Sequence, residues 1–97
     1  MLKFDWDENK RFRNLEKHGI DFYIACLMLQ TGTLIQQEDD PKNYGEPRYI
    51  ATGLWGYRIL VVVFTVREGT IRIISARRAN SRERQIYWTE RRRNNHP

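Results

Sequence analysis

A chain of 97 residues that is 40% hydrophobic and 30% charged suits one folded domain with one modest core, and points away from a disordered chain. Its single cysteine, Cys26, excludes an internal disulfide, and its apolar stretch Ile59 to Phe64 is too short to span a bilayer. The net charge of +5 is lopsided: nine arginines face three glutamates from Arg67 to Pro97, a local balance of +6, whereas residues 1–66 sum to −1.

In chain order, residues 2–6 alternate as Leu-Lys-Phe-Asp-Trp and read as a short strand. The charges throughout this N-terminus argue against a signal peptide, so the expectation is a soluble, cytoplasmic, single-domain protein (1–97). Asp5 or Asp7 can cap a helix that carries Glu8 in its first turn, turns Phe12 and Leu15 inward, and ends near His18 at Gly19. Asp21 caps a second helix, nearly all apolar over 22–30, which reads as the more buried of the two, with Cys26 a small core residue. Thr31-Gly32 closes this helical hairpin.

From residue 33 the period changes to two. Residues 33–37 form a candidate strand, and a polar loop over 38–47 follows. Residues 48–54 and 58–66 are strands joined at Trp55-Gly56-Tyr57. Ile59–Phe64 is apolar on both faces, as expected of a central strand. Glu68-Gly69 is a tight hairpin signal with a return strand over 71–76. Asn80 with Glu83 outlines a capping box that opens a last helix through about Arg92, with 91–97 a frayed tail. The order β-α-α-β-β-β-β-α predicts an α+β fold: a twisted antiparallel sheet with the helical hairpin on one face, and the last helix at an edge or on the other face.

Every basic residue in the last third is arginine, whose planar fork grips phosphate bidentately and stacks on bases, so RNA or DNA is the expected partner. Strand geometry sorts these arginines. Arg77 lies about 16 Å along the return strand from Arg72, at roughly 3.3 Å per residue. One group is therefore Arg58, Arg77, Arg78, Trp55 and Tyr57, extended by Arg84 and Tyr87, and the other is Arg48, Arg67 and Arg72. Arg77 and Arg78 can clamp a phosphate. Glu83 is either a proton acceptor or only the capping-box partner, and Tyr87 is either catalytic or core. Trp55 and Tyr57 either stack a base or pack. His18 suits general acid or base work near neutral pH, or caps its helix beside Lys17. Arg82 and Arg91–Arg93 read as a solvated, phosphate-steering face. Two distant histidines, one cysteine and the contiguous run Glu38-Asp39-Asp40 make no metal signature, so no metal or other cofactor is expected.

These residues resemble the BrnT toxins over Phe4 to Tyr87. The resemblance is carried by Phe4-Asp5-Trp6-Asp7, Lys10, Asn14, Lys17-His18-Gly19-Ile20-Asp21-Phe22, Gly45-Glu46-Pro47-Arg48, Val62–Arg67 and Arg72-Ile73-Ile74-Ser75-Ala76-Arg77-Arg78-Ala79 with Glu83-Arg84 and Tyr87. It implies a type II toxin with a RelE/ParE-like fold, a ribonuclease that arrests growth by cutting RNA. It also implies a BrnA-type antitoxin whose ribbon-helix-helix domain binds the operon's promoter, in a heterotetramer held by the antitoxin dimer, with no role for a membrane. The site residues it carries over are Lys17, His18, Arg67, Arg77, Glu83, Arg84 and Tyr87. Pro47 departs from the basic residue more frequent there, which weakens that loop as an RNA contact. The expectation is a metal-independent endoribonuclease: Arg77 stabilises charge, Glu83 or His18 moves protons, and Arg67 and Arg84 hold the backbone. Two competing readings use the same arginines: a non-catalytic nucleic-acid-binding module, and a ParE-like toxin acting on a protein such as gyrase.

Overall fold

The structure, a computed structural model, describes residues 2–32, 34–39 and 45–94, with backbone alone for 36–39 and 94. Thr33 of the expected second strand, residues 40–44 of the expected polar loop and residues 95–97 of the tail lie outside the described residues. The elements are β1 (Lys3–Trp6), α1 (Glu8–His18), α2 (Phe22–Thr31), β2 (Leu34–Asp39), β3 (Arg48–Trp55), β4 (Arg58–Arg67), β5 (Thr70–Arg78) and α3 (Ser81–Asn94). This is the expected order. The last helix runs past Arg92 to Asn94, so residues 91–94 are helical.

Local chemistry sets the helix bounds. The Asp7 carboxylate accepts from the Asn9 and Lys10 N–H groups at 2.8 and 3.3 Å, which starts α1. Gly19, at φ +70°, ends it with its N–H on the Leu15 carbonyl, 2.8 Å away; a residue with a Cβ is disfavoured in that conformation. Asp21 caps α2 through the Tyr23 N–H at 3.2 Å. Phe22, Ala25, Cys26 and Met28 are then buried against the sheet. Burial pushes the Cys26 thiol up to about 11, as suits a core residue.

The first helix corrects one expectation. Phe12 and Leu15 point outward, 57% and 38% exposed, and the inward residue is Asn14. Phe12 lies instead under the Arg11 guanidinium, 4.6 Å from ring centre to Cζ. Arg11 also bonds Glu8 at 2.7 Å and Asp21 at 3.1 Å, tying α1 to the start of α2.

The five strands run in the order β1-β5-β4-β3-β2. The sheet is mixed rather than antiparallel, because β1 pairs parallel to β5, from Lys3 opposite Thr70 to Trp6 opposite Ile73. No tight turn joins these two strands; five elements intervene, so no hairpin geometry imposes an antiparallel pair. Because β1 stops opposite Ile73, the edge of β5 at Ala76 has no strand beside it. Asn14 takes that place: Ala76 N–H donates to its Oδ1 at 3.1 Å, and its Nδ2 donates to Ala76 O at 2.7 Å and Ile20 O at 2.9 Å.

Strand β4 is the middle strand and is apolar on both sides, as its sequence requires. Leu60, Val62 and Phe64 join the core under the helical hairpin, with Ile73 and Ala76 from β5. Ile59 and Val61 face the other way, in a smaller core with Ala79 and Tyr87 of the α3 side. A bulge between Val63 and Phe64 in the β4–β5 register lets Ile73 and Ala76, three residues apart, face the same core. The same bulge puts Arg72, opposite Thr65, and Arg77, opposite Val61, on the α3 side, and Arg78, opposite Leu60, on the hairpin side.

Candidate nucleic-acid interface

The corner between β5 and α3 is built by backbone first. The Ala79 N–H donates to Ile59 O at 2.8 Å, holding the end of β5 against the start of β4. Asn80 and Glu83 then form the capping box: Glu83 N–H donates to Asn80 Oδ1 at 2.8 Å, and Asn80 N–H donates to Glu83 Oε1 at 2.9 Å. Arg77 closes on the same carboxylate with two parallel bonds, Nη1 to Oε1 at 2.7 Å and Nη2 to Oε2 at 2.8 Å. These bonds, with Arg77 first, hold the Glu83 carboxyl below its ordinary range and raise the Arg77 guanidinium. Glu83 thus serves at once as the capping-box partner and as the anion of the Arg77 fork. The pair sits at a cleft of about 350 Å³ under α3, lined by Ile35, Ile50, Val61 and Val63 of the sheet and Ile86 of the helix.

Arginines without a carboxylate partner gather one residue further on. Arg78 is exposed. Arg58, next to Ile59, lays its guanidinium over Tyr57, with Cζ 5.3 Å from the ring centre and Nη2 donating to the hydroxyl at 3.3 Å. Arg84 reaches back from α3, with Nη1 on Ala79 O at 2.8 Å and Nη2 on Ser81 Oγ at 3.1 Å. All three stand within one or two residues of the Ile59–Ala79 bond or reach it directly. None has a carboxylate ion-pair partner among the described residues.

The second expected group, Arg48, Arg67 and Arg72, lies at the other end of the β4–β5 pair and carries its own anions. Glu46 takes Arg67 in a fork at 3.1 and 2.9 Å. Its carboxyl is held low by that bond first, then by the charges of Arg67, Arg48 and Arg72. Asp5 holds Arg72 at 3.3 Å.

The remaining site candidates separate. Tyr87 is fully buried in the α3-side core, so it is a packing residue in this conformation. Lys17 is exposed and His18 half-buried at the end of α1, on the hairpin side of the sheet. Helix α1 runs alongside β5 in the same direction, since Trp6 is level with Ile73 and Asn14 with Ala76. His18 lies one turn beyond Asn14, about 6 Å, and Arg78 lies two strand residues beyond Ala76, about 6.6 Å. His18 thus comes level with Arg78 along the direction of β5. Sequence reasoning missed Asn14, quoted only as part of a resemblance; an asparagine in the middle of an amphipathic helix was the available signal.

Among the described residues no group of three His, Cys, Asp or Glu is placed to hold a metal ion, and the side chains of the Glu38-Asp39-Asp40 run lie outside them. No described helix is long and apolar enough to cross a membrane. A family model described as "Ribonuclease toxin, BrnT, of type II toxin-antitoxin system" matches residues 6–83, from the end of β1 through the first turn of α3. None of the curated proteins matches the chain.

Proposed function

The chain belongs to the BrnT family, the ribonuclease toxins of type II toxin–antitoxin systems, and from that premise we propose an endoribonuclease whose chemistry centres on Arg78 and His18. The observation that carries this reading is the distribution of compensated charge. Arg77 is matched by Glu83, Arg67 by Glu46 and Arg72 by Asp5, whereas Arg58, Arg78 and Arg84 at one corner have no carboxylate partner among the described residues.

An RNA strand lies across that corner, with Arg58 and Arg84 on its phosphates and Lys17 steering it. The 2′-hydroxyl attacks the adjacent phosphorus in line and the 5′-oxygen leaves, giving a cyclic phosphate and a 5′-hydroxyl. His18 moves the protons, and Arg78 offsets the charge that develops on the phosphoryl oxygens. Side chains supply both needs, so the reaction runs without a metal. Arg77 is a positioning residue: its fork with Glu83 ties α3 to the end of β5 and so holds Arg78 and Arg84 in place. The antitoxin is of the BrnA type and lays an acidic or apolar segment over the arginines. The assembly is a heterotetramer on the antitoxin dimer, and operator DNA is bound through the antitoxin.

The test is cleavage of an end-labelled RNA by purified protein, with and without EDTA, with the fragment ends mapped. His18→Gln and Arg78→Ala are expected to slow cutting by about 10²–10⁴-fold while keeping the fold. Loss of cutting in EDTA would end the metal-free mechanism. Full activity in His18→Gln, with none in an Arg77→Ala variant that still binds RNA, would move the chemistry to the α3 side of the sheet.

A further inference from the structure

We propose that the turn between β3 and β4 is a base-stacking subsite for single-stranded RNA, with Tyr57 as its platform; this rests on the ribonuclease reading above for its substrate class. Trp55 and Arg58 face each other across the turn, leaving Gly56 and Tyr57 as a two-residue loop. Gly56, at φ +63°, supplies the left-handed conformation that such a loop demands at its first position. The second position makes no comparable demand, and a small polar residue would serve. Tyr57 occupies it and is 87% exposed, the most exposed large hydrophobic side chain among the described residues.

Its surroundings match a ligand with a flat ring and a phosphate. The Arg58 guanidinium lies over the ring at 5.3 Å and bonds the hydroxyl at 3.3 Å, which orders the tyrosine while leaving most of its surface to solvent. Arg58 pairs across the hairpin with Trp55, which packs against the main core, so the platform stands on an anchored base. Arg78 lies opposite Leu60, on the same side of the sheet as Arg58. A base on the free surface of Tyr57 would carry its phosphates towards these two cations. Only an unpaired base can offer its face in this way, so the subsite selects single strands.

Fluorescence anisotropy with a labelled 2′-O-methyl oligonucleotide reads binding apart from cleavage, because the attacking hydroxyl is blocked. Tyr57→Ala is expected to weaken binding on the order of tenfold without changing its salt dependence, and Tyr57→Trp to restore it. Affinity for duplex RNA should not change. Wild-type affinity in Tyr57→Ala, or an equal loss on single strands and duplex, overturns the subsite. Unchanged RNA binding with weakened antitoxin binding overturns it too, and makes Tyr57 a protein contact. If the expected losses appear but the wild-type protein cuts no unmodified RNA, the subsite stands and the ribonuclease reading fails.

Discussion

Asn14 shows how one side chain completes a sheet. Its carboxamide presents an acceptor and a donor to Ala76 in the manner of a neighbouring strand, and binds Ile20 O as well. Truncation to alanine orphans buried backbone groups of β5 and of the α1–α2 link. Asn14→Ala is expected to lower stability by about 2–4 kcal/mol in urea titrations, and Asn14→Asp to fail as a rescue because a carboxylate cannot donate. Glu83 acts at the same scale through pH. Its folded pKa lies below the unfolded one, so between the two values the unfolded state binds more protons. Its contribution is full above the ordinary carboxylate range and is lost as pH falls through the depressed folded value. Glu83→Gln should therefore flatten the acid limb of a stability-versus-pH curve and leave the curve's shape above pH of about 6 unchanged.

The β4–β5 hairpin is a two-residue turn in which both Glu68, at φ +49°, and Gly69, at φ +78°, are left-handed. Glycine adopts this conformation freely, whereas glutamate is strained there and asparagine tolerates it well. Glu68→Asn is expected to raise stability by about 0.5–1 kcal/mol, read as a shift in urea midpoint at constant m-value. The helices differ in how they are held. Apolar burial of Phe22, Ala25, Cys26 and Met28 holds α2 to the sheet. Helix α3 depends on its capping box, the Arg77–Glu83 fork, and the buried Tyr87. Helix α1 relies on Asn14 and on Arg11 between Glu8 and Asp21, which leaves Phe12 free to lie outward.

Across the whole molecule, Arg72 and Arg77 on the α3 side of the sheet are ion-paired, whereas Arg58 and Arg78 on the hairpin side and Arg84 on α3 have no carboxylate partner among the described residues. The electrostatic term in RNA binding should then come from few groups. With Arg58, Arg78 and Arg84 each neutralising one phosphate, log K against log salt should fall with a slope of roughly −2, and Arg78→Ala should reduce it by about 0.7. Much of this was legible in the chain. The caps at Asp7 and Asp21, the turns at Gly56 and Gly69, the apolar run of β4 and the Asn80–Glu83 box are local signals, because each depends on residues within one turn or one strand. So is the block of arginines, which depends on composition alone. Which arginines remain uncompensated was not legible. That depends on Glu46, Asp5 and Glu83 arriving beside particular guanidinium groups, and on a bulge at Ile74 that reverses which residues of β5 share a face. The parallel β1–β5 pair and the inward Asn14 have the same origin. Sequence by itself determined the elements, their order and the excess of positive charge, while tertiary structure decided where that charge is left free, because neutralisation is a matter of a few ångströms between segments distant in the chain.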